Sequence, residues 1–346
     1  MDRPLTLMIH GGLNKAGSTY LQDLFSTNAA LLLEHGIHYP NPVVTSGPAD
    51  AQSGNAADLA LAFESGDLTS FMYMLEQLGS ETRRLGCQRL LLSNESIYHG
   101  MVMPGRIGQF ATMARARSFL DIQVLIVFRN PAPHAISAYC HRAGTMQLAS
   151  FDQWLRDGWE FPSDLKSFLD NAAATDLVEL RLASLPHDSL IDVATRWIGV
   201  DPLVRPAFAR SNVSINCVEA ELVRRLYRES VPAAKELRTA FRRLPKDLKA
   251  SDAAVRDRFE WQALDYLAQY RAALCSLEGM LGHTLQRPEL DQDGEEPAGI
   301  SSGELALSAE QADVLLATLR RPRAWRDGSV GRLGRRTVHA LRRGLS

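Results

Sequence analysis

The chain has 346 residues, enough for one large domain or for one domain and a smaller second one. Apolar residues make up 45% of it and charged residues 23%, which is the composition of an ordinary globular chain rather than a disordered or fibrous one. The formal net charge of −2 gives no global argument for nucleic-acid binding, and no apolar run approaches the length that crosses a membrane.

The first predicted elements surround a glycine-containing loop near the start of the chain. Residues 5–9 are an apolar run that predicts a buried strand, and apolar residues from Leu21 onward recur at helical spacing. Between them lies the segment Lys15-Ala16-Gly17-Ser18-Thr19. A strand, a glycine turn and a helix in this order aim backbone N–H groups and a helix N-terminus at one point, where an anion is stabilised. We therefore expect a phosphate site, with Lys15 adding charge and Ser18 and Thr19 adding hydroxyl donors.

The rest of the first two thirds of the chain alternates between strands and helices. Further strands are predicted at residues 36–40, 89–93, 123–128 and 177–180. Helices are predicted at residues 59–85 with a break near 65–66, and at 103–119, 133–144, 151–157, 163–173 and 191–198. This alternation indicates an α/β fold whose parallel sheet is covered by helices on both faces.

The last third is predicted to be helical. Leucines between Leu264 and Leu281 recur at spacings of three, four and seven, which predicts one long amphipathic helix. The stretch 289–303 is acidic and contains Gly and Ser. The last 27 residues, 320–346, hold nine arginines and a single acid. The predicted organisation is an α/β catalytic domain at 1–216, a helical extension packed on it at 217–288, an acidic linker or loop at 289–303 and a basic helical tail at 304–346.

A second anion-binding segment follows the clearest predicted strand. Arg129 stands at the carboxyl end of the strand at 123–128, where ligands bind in α/β sheets, and Ser137 lies about two turns into the next helix. A guanidinium fork and a hydroxyl at these positions could converge on one phosphate. Taken singly, a salt bridge at a strand end and a small helix-packing serine are the simpler interpretations.

Together the two segments resemble a known family. Lys15-Ala16-Gly17-Ser18-Thr19 resembles the 5′-phosphosulfate loop of sulfotransferases that use 3′-phosphoadenosine 5′-phosphosulfate (PAPS), and Arg129-Asn130-Pro131 followed by Ser137 and Tyr139 resembles their 3′-phosphate segment. The resemblance covers about residues 5–215 and is closest to bacterial-type members. It implies a P-loop-like parallel sheet flanked by helices, the sulfotransferase fold, with PAPS as co-substrate and no metal.

The resemblance also implies roles for individual residues. Backbone N–H groups at Ala16, Gly17, Ser18 and Thr19 would hold the 5′-phosphosulfate, and Lys15 would neutralise the bridging oxygen as the sulfuryl group leaves. Arg129 and Ser137 would hold the 3′-phosphate. A later segment, residues 208–214, is similar to an Asn-x-Ser segment of the family in which Arg210 approaches the nucleotide, although a capping turn before the next helix explains it equally well.

A general base is expected beside the nucleotide. Glu95 follows the predicted strand at 89–93, and related enzymes carry His or Glu near the end of this strand. A carboxylate there can accept the acceptor's proton if the substrate brings the two within hydrogen-bond reach. His99 and His10 are the alternatives, and a helix-capping or exposed role for Glu95 remains open.

Two other functions stay open alongside PAPS-dependent sulfuryl transfer. One is a P-loop-like kinase, which would need Mg²⁺ and a lysine after the last loop glycine, whereas Lys15 precedes Gly17. The other is a sulfotransferase-like module that binds nucleotide without catalysis. The acceptor is expected to be a small molecule, a sugar or a lipid.

The remaining features concern partners and location. The arginine-rich tail is either a solvated terminal helix, a segment docked on the acidic linker or a contact for an acidic surface, and no nucleic-acid partner is expected. The four cysteines lack metal-site spacing, which is typical of free thiols in a reducing compartment. With a strand beginning at residue 5 in place of a signal peptide, we expect a cytoplasmic protein, whose oligomeric state the sequence leaves open.

Overall fold

A single parallel sheet organises the fold. The computed structural model describes residues 4–13, 16–40, 54–185, 188–206, 215–285 and 307–320. Its strands are β1 Leu5–Gly12, β2 Ile37–His38, β3 Arg89–Ser93, β4 Phe119–Arg129 and β5 Glu179–Leu185. They form one sheet in the order β2-β3-β1-β4-β5, and every pairing is parallel. The predicted α/β class with a parallel sheet is confirmed.

Helices make up most of the remaining described chain. They are α1 Ser18–Thr27, α2 Ala29–Glu34, α3 Ala57–Ser65, α4 Leu68–Arg84, α5 Ser96–Val102, α6 Arg106–Arg115, α7 Pro131–Arg142, α8 Phe151–Asp157, α9 Phe161–Ala173, α10 Leu190–Ile198, α11 Cys217–Glu229, α12 Val231–Arg243, α13 Ala253–Leu267, α14 Arg271–Leu281 and α15 Ala309–Arg320. None of the helices in the described part is both long and apolar enough to cross a membrane.

Aromatic packing on both faces of the sheet explains why the strands are so apolar. On one face, Phe128 of β4 contacts Tyr98 of α5 and Phe168 of α9, with ring centroids 6.1 and 6.3 Å apart. On the other face, Phe25 of α1 contacts Trp197 of α10 at 6.3 Å. Strands buried on both faces read as continuous apolar runs, because neither set of alternating side chains meets water.

The order of the strands creates a crevice at one point on the carboxyl edge. The chain leaves β1 through α1 and α2 towards β2, but it leaves β4 through α7, α8 and α9 towards β5, which lies on the opposite side of the sheet. Since β1 and β4 are neighbours, the switch in direction falls between them. Open α/β sheets bind their ligands outside the carboxyl ends of the strands at such a point.

Two predicted helices differ from the structure. The helix predicted at 103–119 ends earlier, because Ser118 adopts a left-handed φ of 67° and turns the chain into β4. The long helix predicted near 264–281 is two helices, α13 and α14, with a 3-10 turn at Ala268–Tyr270 between them.

The described residues group into two compact units. The first comprises Met1–Asn130, Glu160–Ser211 and Tyr270–Gln286 and contains the whole sheet. The second comprises Pro131–Trp159, Asn212–Gln269 and Arg287–Ser346, and its described elements are all helical. The units interleave along the chain. The predicted division at 1–216, 217–288, 289–303 and 304–346 stays a prediction.

Candidate functional site

The loop after β1 is fastened to the sheet before it turns into α1. The N–H of Leu13 donates to the carbonyl of Val127 in β4 at 3.3 Å, and the N–H of Ala16 donates back to Leu13 at 3.1 Å. Ala16 is fully buried. Lys15 lies outside the described residues, and its predicted charge-neutralising role stays a prediction.

Gly17 is the residue at which only glycine fits. It is the N-cap of α1 and has φ 90° and ψ 10°, a left-handed conformation that side-chain-bearing residues rarely adopt. A Cβ here would also lie 2.6 Å from Cδ1 of Leu190 and 3.2 Å from Cδ1 of Leu185. Because glycine has no side chain, it leaves the first-turn amides of α1 uncapped for an anion or water.

The two hydroxyl residues of the loop differ in exposure. Ser18 is buried, and its Oγ donates to the carbonyl of Leu13 at 3.5 Å, a long hydrogen bond. Thr19 is half-buried. Both begin α1 directly after Gly17, so their amide groups belong to the helix N-terminus that the sequence predicted. The backbone at Gly17, Ser18 and Thr19 therefore has the arrangement an anion site needs, whereas the N–H of Ala16, predicted to hold the 5′-phosphosulfate, donates to Leu13.

Arg129 ends the strand next to this loop. It is the last residue of β4 and half-buried, and the following residue, Asn130, donates its N–H to the carbonyl of Leu185 in β5 at 3.2 Å. Arg129 thus stands at the carboxyl edge beside the point where the strand order switches. The sequence prediction of its location is confirmed, and phosphate binding by its guanidinium stays a prediction.

Ser137 belongs to the second unit, where its neighbour Tyr139 has a structural partner. Ser137 is half-buried on α7. The hydroxyl of Tyr139 donates to Oε1 of Glu221 on α11 at 2.6 Å, and the guanidinium of Arg224 holds the same carboxylate with bonds of 3.0 and 2.7 Å. This network joins α7 to α11. Convergence of Arg129 and Ser137 on one phosphate stays a prediction.

Glu95 follows β3 at the same edge of the sheet. It occupies the N-cap position of α5 and is half-buried, and its carbonyl accepts the N–H of Tyr98 at 3.0 Å. The residue before it, Asn94, is fixed on both sides: its N–H donates to the carbonyl of His10 at 3.0 Å, and its Oδ1 accepts the N–H of Ser96 at 2.8 Å. The backbone that carries the candidate base is therefore well defined.

His10 is a poor candidate for the base. It is 0% exposed within β1, and its Nδ1 is hydrogen-bonded to Oγ of Ser93 at 2.7 Å. Burial lowers the pKa of the imidazole to about 3, so the ring is neutral near pH 7 and has little affinity for a proton. Among the described residues its Nε2 has no hydrogen-bond partner. These properties favour a structural role, in which His10 joins β1 to β3.

His99 lies one turn after Glu95 on α5 and is half-buried. Burial raises the pKa of Asp164 on α9, and the nearby His99 offsets only part of that rise. Because His99 is half-buried, whereas His10 is fully buried within β1, His99 stays the stronger of the two alternative bases.

Asn55 is the residue near the site that sequence reasoning missed. Its side chain binds the backbone of β3 at Leu91 and Ser93. In the sequence it only closes a stretch rich in Pro, Gly and Ser, a composition that predicts a loop and nothing about which strand the loop contacts.

Comparison with known proteins does not assign a family. No protein-family model matches the chain, and no curated protein matches it either. Within the described part of the chain, no group of three or more His, Cys, Asp or Glu side chains is placed to hold a metal ion. Arg210, the acidic stretch 289–303 and the arginine-rich tail beyond residue 320 lie outside the described residues.

Proposed function

We propose that this chain is a PAPS-dependent sulfotransferase that transfers a sulfuryl group to a hydroxyl or amine of a small-molecule, sugar or lipid acceptor. The observation that carries the proposal is the conformation of Gly17 at the start of α1. Its left-handed backbone demands glycine at the N-cap of α1, and so do Leu185 and Leu190, which a Cβ at this position would crowd; the loop follows β1 beside the β1–β4 switch point. A loop of this kind binds an anion through backbone N–H groups.

Arg129 supports the same proposal from the neighbouring strand. A nucleotide that carries phosphate at both its 5′ and 3′ positions needs two separate anion sites. The helix N-terminus at Ser18 and Thr19 suits the 5′-phosphosulfate, and the guanidinium at the end of β4 suits the 3′-phosphate. In the proposal Ser137 and Arg210 assist with the nucleotide phosphates.

In the proposed reaction an acceptor oxygen attacks sulfur in line with the leaving group. The new O–S bond forms as the bond between sulfur and the bridging oxygen of the 5′-phosphate breaks, and its electron pair leaves with 3′-phosphoadenosine 5′-phosphate (PAP). The carboxylate of Glu95 takes the acceptor's proton, and Lys15 neutralises the bridging oxygen. Most of the rate then comes from positioning and charge stabilisation, and no metal is needed because lysine and backbone N–H groups supply the positive charge.

The test is a transfer assay with PAPS that carries radioactive sulfur and 2-naphthol as the probe acceptor, in the presence of EDTA. The proposal expects labelled naphthyl sulfate and an equal amount of PAP. Labelled phosphate transferred from ATP only with Mg²⁺ would instead identify a kinase. PAP binding without turnover of any acceptor in a panel of phenols, sugars and lipids would identify a binding module.

A further inference from the structure

Strand β3 extends beyond the end of its neighbour β2. The two strands pair at only two positions, Ile37 with Arg89 and His38 with Leu90. β3 continues to Ser93, so the carbonyl of Leu91 and the N–H of Ser93 face the side on which β2 has already ended. An unpaired strand edge costs free energy where it is buried and loosens the strand end where it is wet.

The side chain of Asn55 replaces the missing strand. Its Nδ2 donates to the carbonyl of Leu91 at 3.0 Å, and its Oδ1 accepts the N–H of Ser93 at 2.7 Å. One amide group thus makes the two bonds that another residue of β2 would have made.

The backbone around Asn55 is built for this contact. A Cβ at Gly54 would overlap the carbonyl oxygen of Ser93, so only glycine lets the chain approach β3 so closely. Tyr39, the residue after β2, is buried; burial raises the pKa of its hydroxyl, and the backbone of Asn55 partly offsets that rise. Asn55 therefore occupies the position beside the end of β3 that β2 leaves open.

The opposite edge of β3 is also fastened, by β1. The carbonyl of His10 accepts the N–H of Asn94 at 3.0 Å, and the ring of His10 is bonded to Oγ of Ser93 at 2.7 Å. Ser93 and Asn94 are thus held from both sides, and the next residue is Glu95. A catalytic group works only if its backbone is held to within a fraction of an ångström of the productive place.

We propose that Asn55 is a positioning residue for Glu95, which it serves by completing the edge of β3. This inference rests on the proposed function, since it takes Glu95 as the base. It predicts that loss of the Asn55 amide loosens residues 93–95 and slows the chemical step, while nucleotide binding at the β1 loop is unchanged.

The variant is Asn55→Ala, and the matched control is Asn28→Ala. Asn28 is another buried asparagine of the first unit, and its amide also hydrogen-bonds backbone, at Leu24 and Val204, and none of these hydrogen bonds within the described residues reaches β3. Hydrogen exchange of the backbone amides is measured on both variants, and so is kcat for sulfuryl transfer to 2-naphthol. Both measurements are repeated with Asn55→Ala combined with Glu95→Gln.

In Asn55→Ala, exchange at Ser93 and Asn94 is expected to be about tenfold faster, the scale set by the loss of one or two hydrogen bonds, and unchanged there in Asn28→Ala. The value of kcat is expected to fall by a similar factor, with KM for PAPS unchanged, and not to fall further when Glu95→Gln is already present.

Several results would overturn the inference. Unchanged exchange at Ser93 and Asn94 in Asn55→Ala would do so whatever the turnover, as would equal slowing of kcat with and without Glu95→Gln. Failure of the proposed role of Glu95 looks different. Normal turnover in Glu95→Gln alone would show that Glu95 is not the base, and Asn55 would then have no catalytic residue to position.

Discussion

The carboxyl ends of β1 and β3 are neighbours in the sheet, yet the chain treats them in opposite ways. β1 ends in Gly11 and Gly12 and continues into a loop that leads to α1. The N-cap of α1 is Gly17, so no side chain caps the helix. β3 ends in backbone that is hydrogen-bonded on both edges, by His10 and by Asn55. In the proposed function, the first end offers backbone N–H groups to the nucleotide, and the second fixes the residue that follows it.

This difference matches the two tasks of a group-transfer site. An anion is best held by several backbone donors that have no other partner, so the strand must stop and leave them open. A base acts through one side chain, so its backbone must not move. Substitutions at the two strand ends separate these two tasks.

The largest expected effect is at the β3 end. In Glu95→Gln, which keeps the size of the side chain but removes its basicity, kcat should fall about 10²–10⁴-fold, the usual contribution of a general base. Affinity for PAP should be unchanged, because the nucleotide is held at the other strand ends. Steady-state rates with a screened acceptor and calorimetry with PAP measure the two quantities.

The control for Glu95 is its neighbour on α5. His99→Asn should change kcat far less, and the loss in Glu95→Gln should shrink for acceptors of low pKa, which need less help to ionise. Normal turnover in Glu95→Gln together with a collapse in His99→Asn would assign the base to the histidine.

The next effect is in the loop after β1. In Lys15→Ala, kcat should fall about 10²–10³-fold, as when a group that stabilises developing charge is removed. Affinity for PAP should fall less, because the charge of Lys15 is needed most as the leaving oxygen develops. Lys15→Arg keeps the charge and should recover part of the rate. A variant that loses affinity but keeps kcat at saturation would show that Lys15 only binds.

Arg129 extends the comparison to the end of β4. Arg129→Ala should weaken PAP binding by about 1.5–3 kcal/mol, the scale of hydrogen bonds to charged groups. Binding of adenosine 5′-phosphate should hardly change, because it lacks the 3′-phosphate. Arg181→Ala is the control: Arg181 is an exposed arginine on β5 that pairs with Glu179. If Arg129→Ala weakened the binding of both nucleotides equally, Arg129 would not be the residue that binds the 3′-phosphate.

The smallest effect concerns His10, which links the two strand ends. Burial lowers its pKa from 6.5 to about 3. Below pH 6.5, His10 therefore binds a proton in the unfolded chain but not in the folded chain. Stability is therefore lost as the pH falls, by about 2 kcal/mol between pH 7 and pH 5. Urea unfolding at both pH values should show a loss that is about 2 kcal/mol larger in the wild type than in His10→Gln, because His38, whose pKa burial also lowers, titrates in both proteins. Parallel losses in both proteins would contradict it.

Much of the sheet could be predicted because its strands carry their own signal. The strand at 89–93 was predicted with the boundaries it has, and residues 123–128 lie within β4. The start of β4 was missed because Phe119 continues an apolar pattern from α6, and only the left-handed turn at Ser118 separates them.

The two strand ends differ in how far they could be predicted. The β1 loop is local: glycine, lysine and hydroxyls stand together in the sequence, so its place at a helix N-terminus follows from spacing alone. The support of the β3 end is not local, since Asn55 reaches Leu91 across 36 positions. Such a contact depends on β2 ending after two residues, and no spacing in the sequence reports that.

Binding of PAP and ATP, compared by calorimetry with and without Mg²⁺, distinguishes a PAPS-dependent sulfotransferase from a kinase. A sulfotransferase is expected to bind PAP without metal and far more tightly than ATP, because the two phosphates of PAP match the helix N-terminus at Gly17 and the arginine at the end of β4. Equal affinity for ATP, or PAP binding that depends on Mg²⁺, would contradict PAPS-dependent sulfuryl transfer.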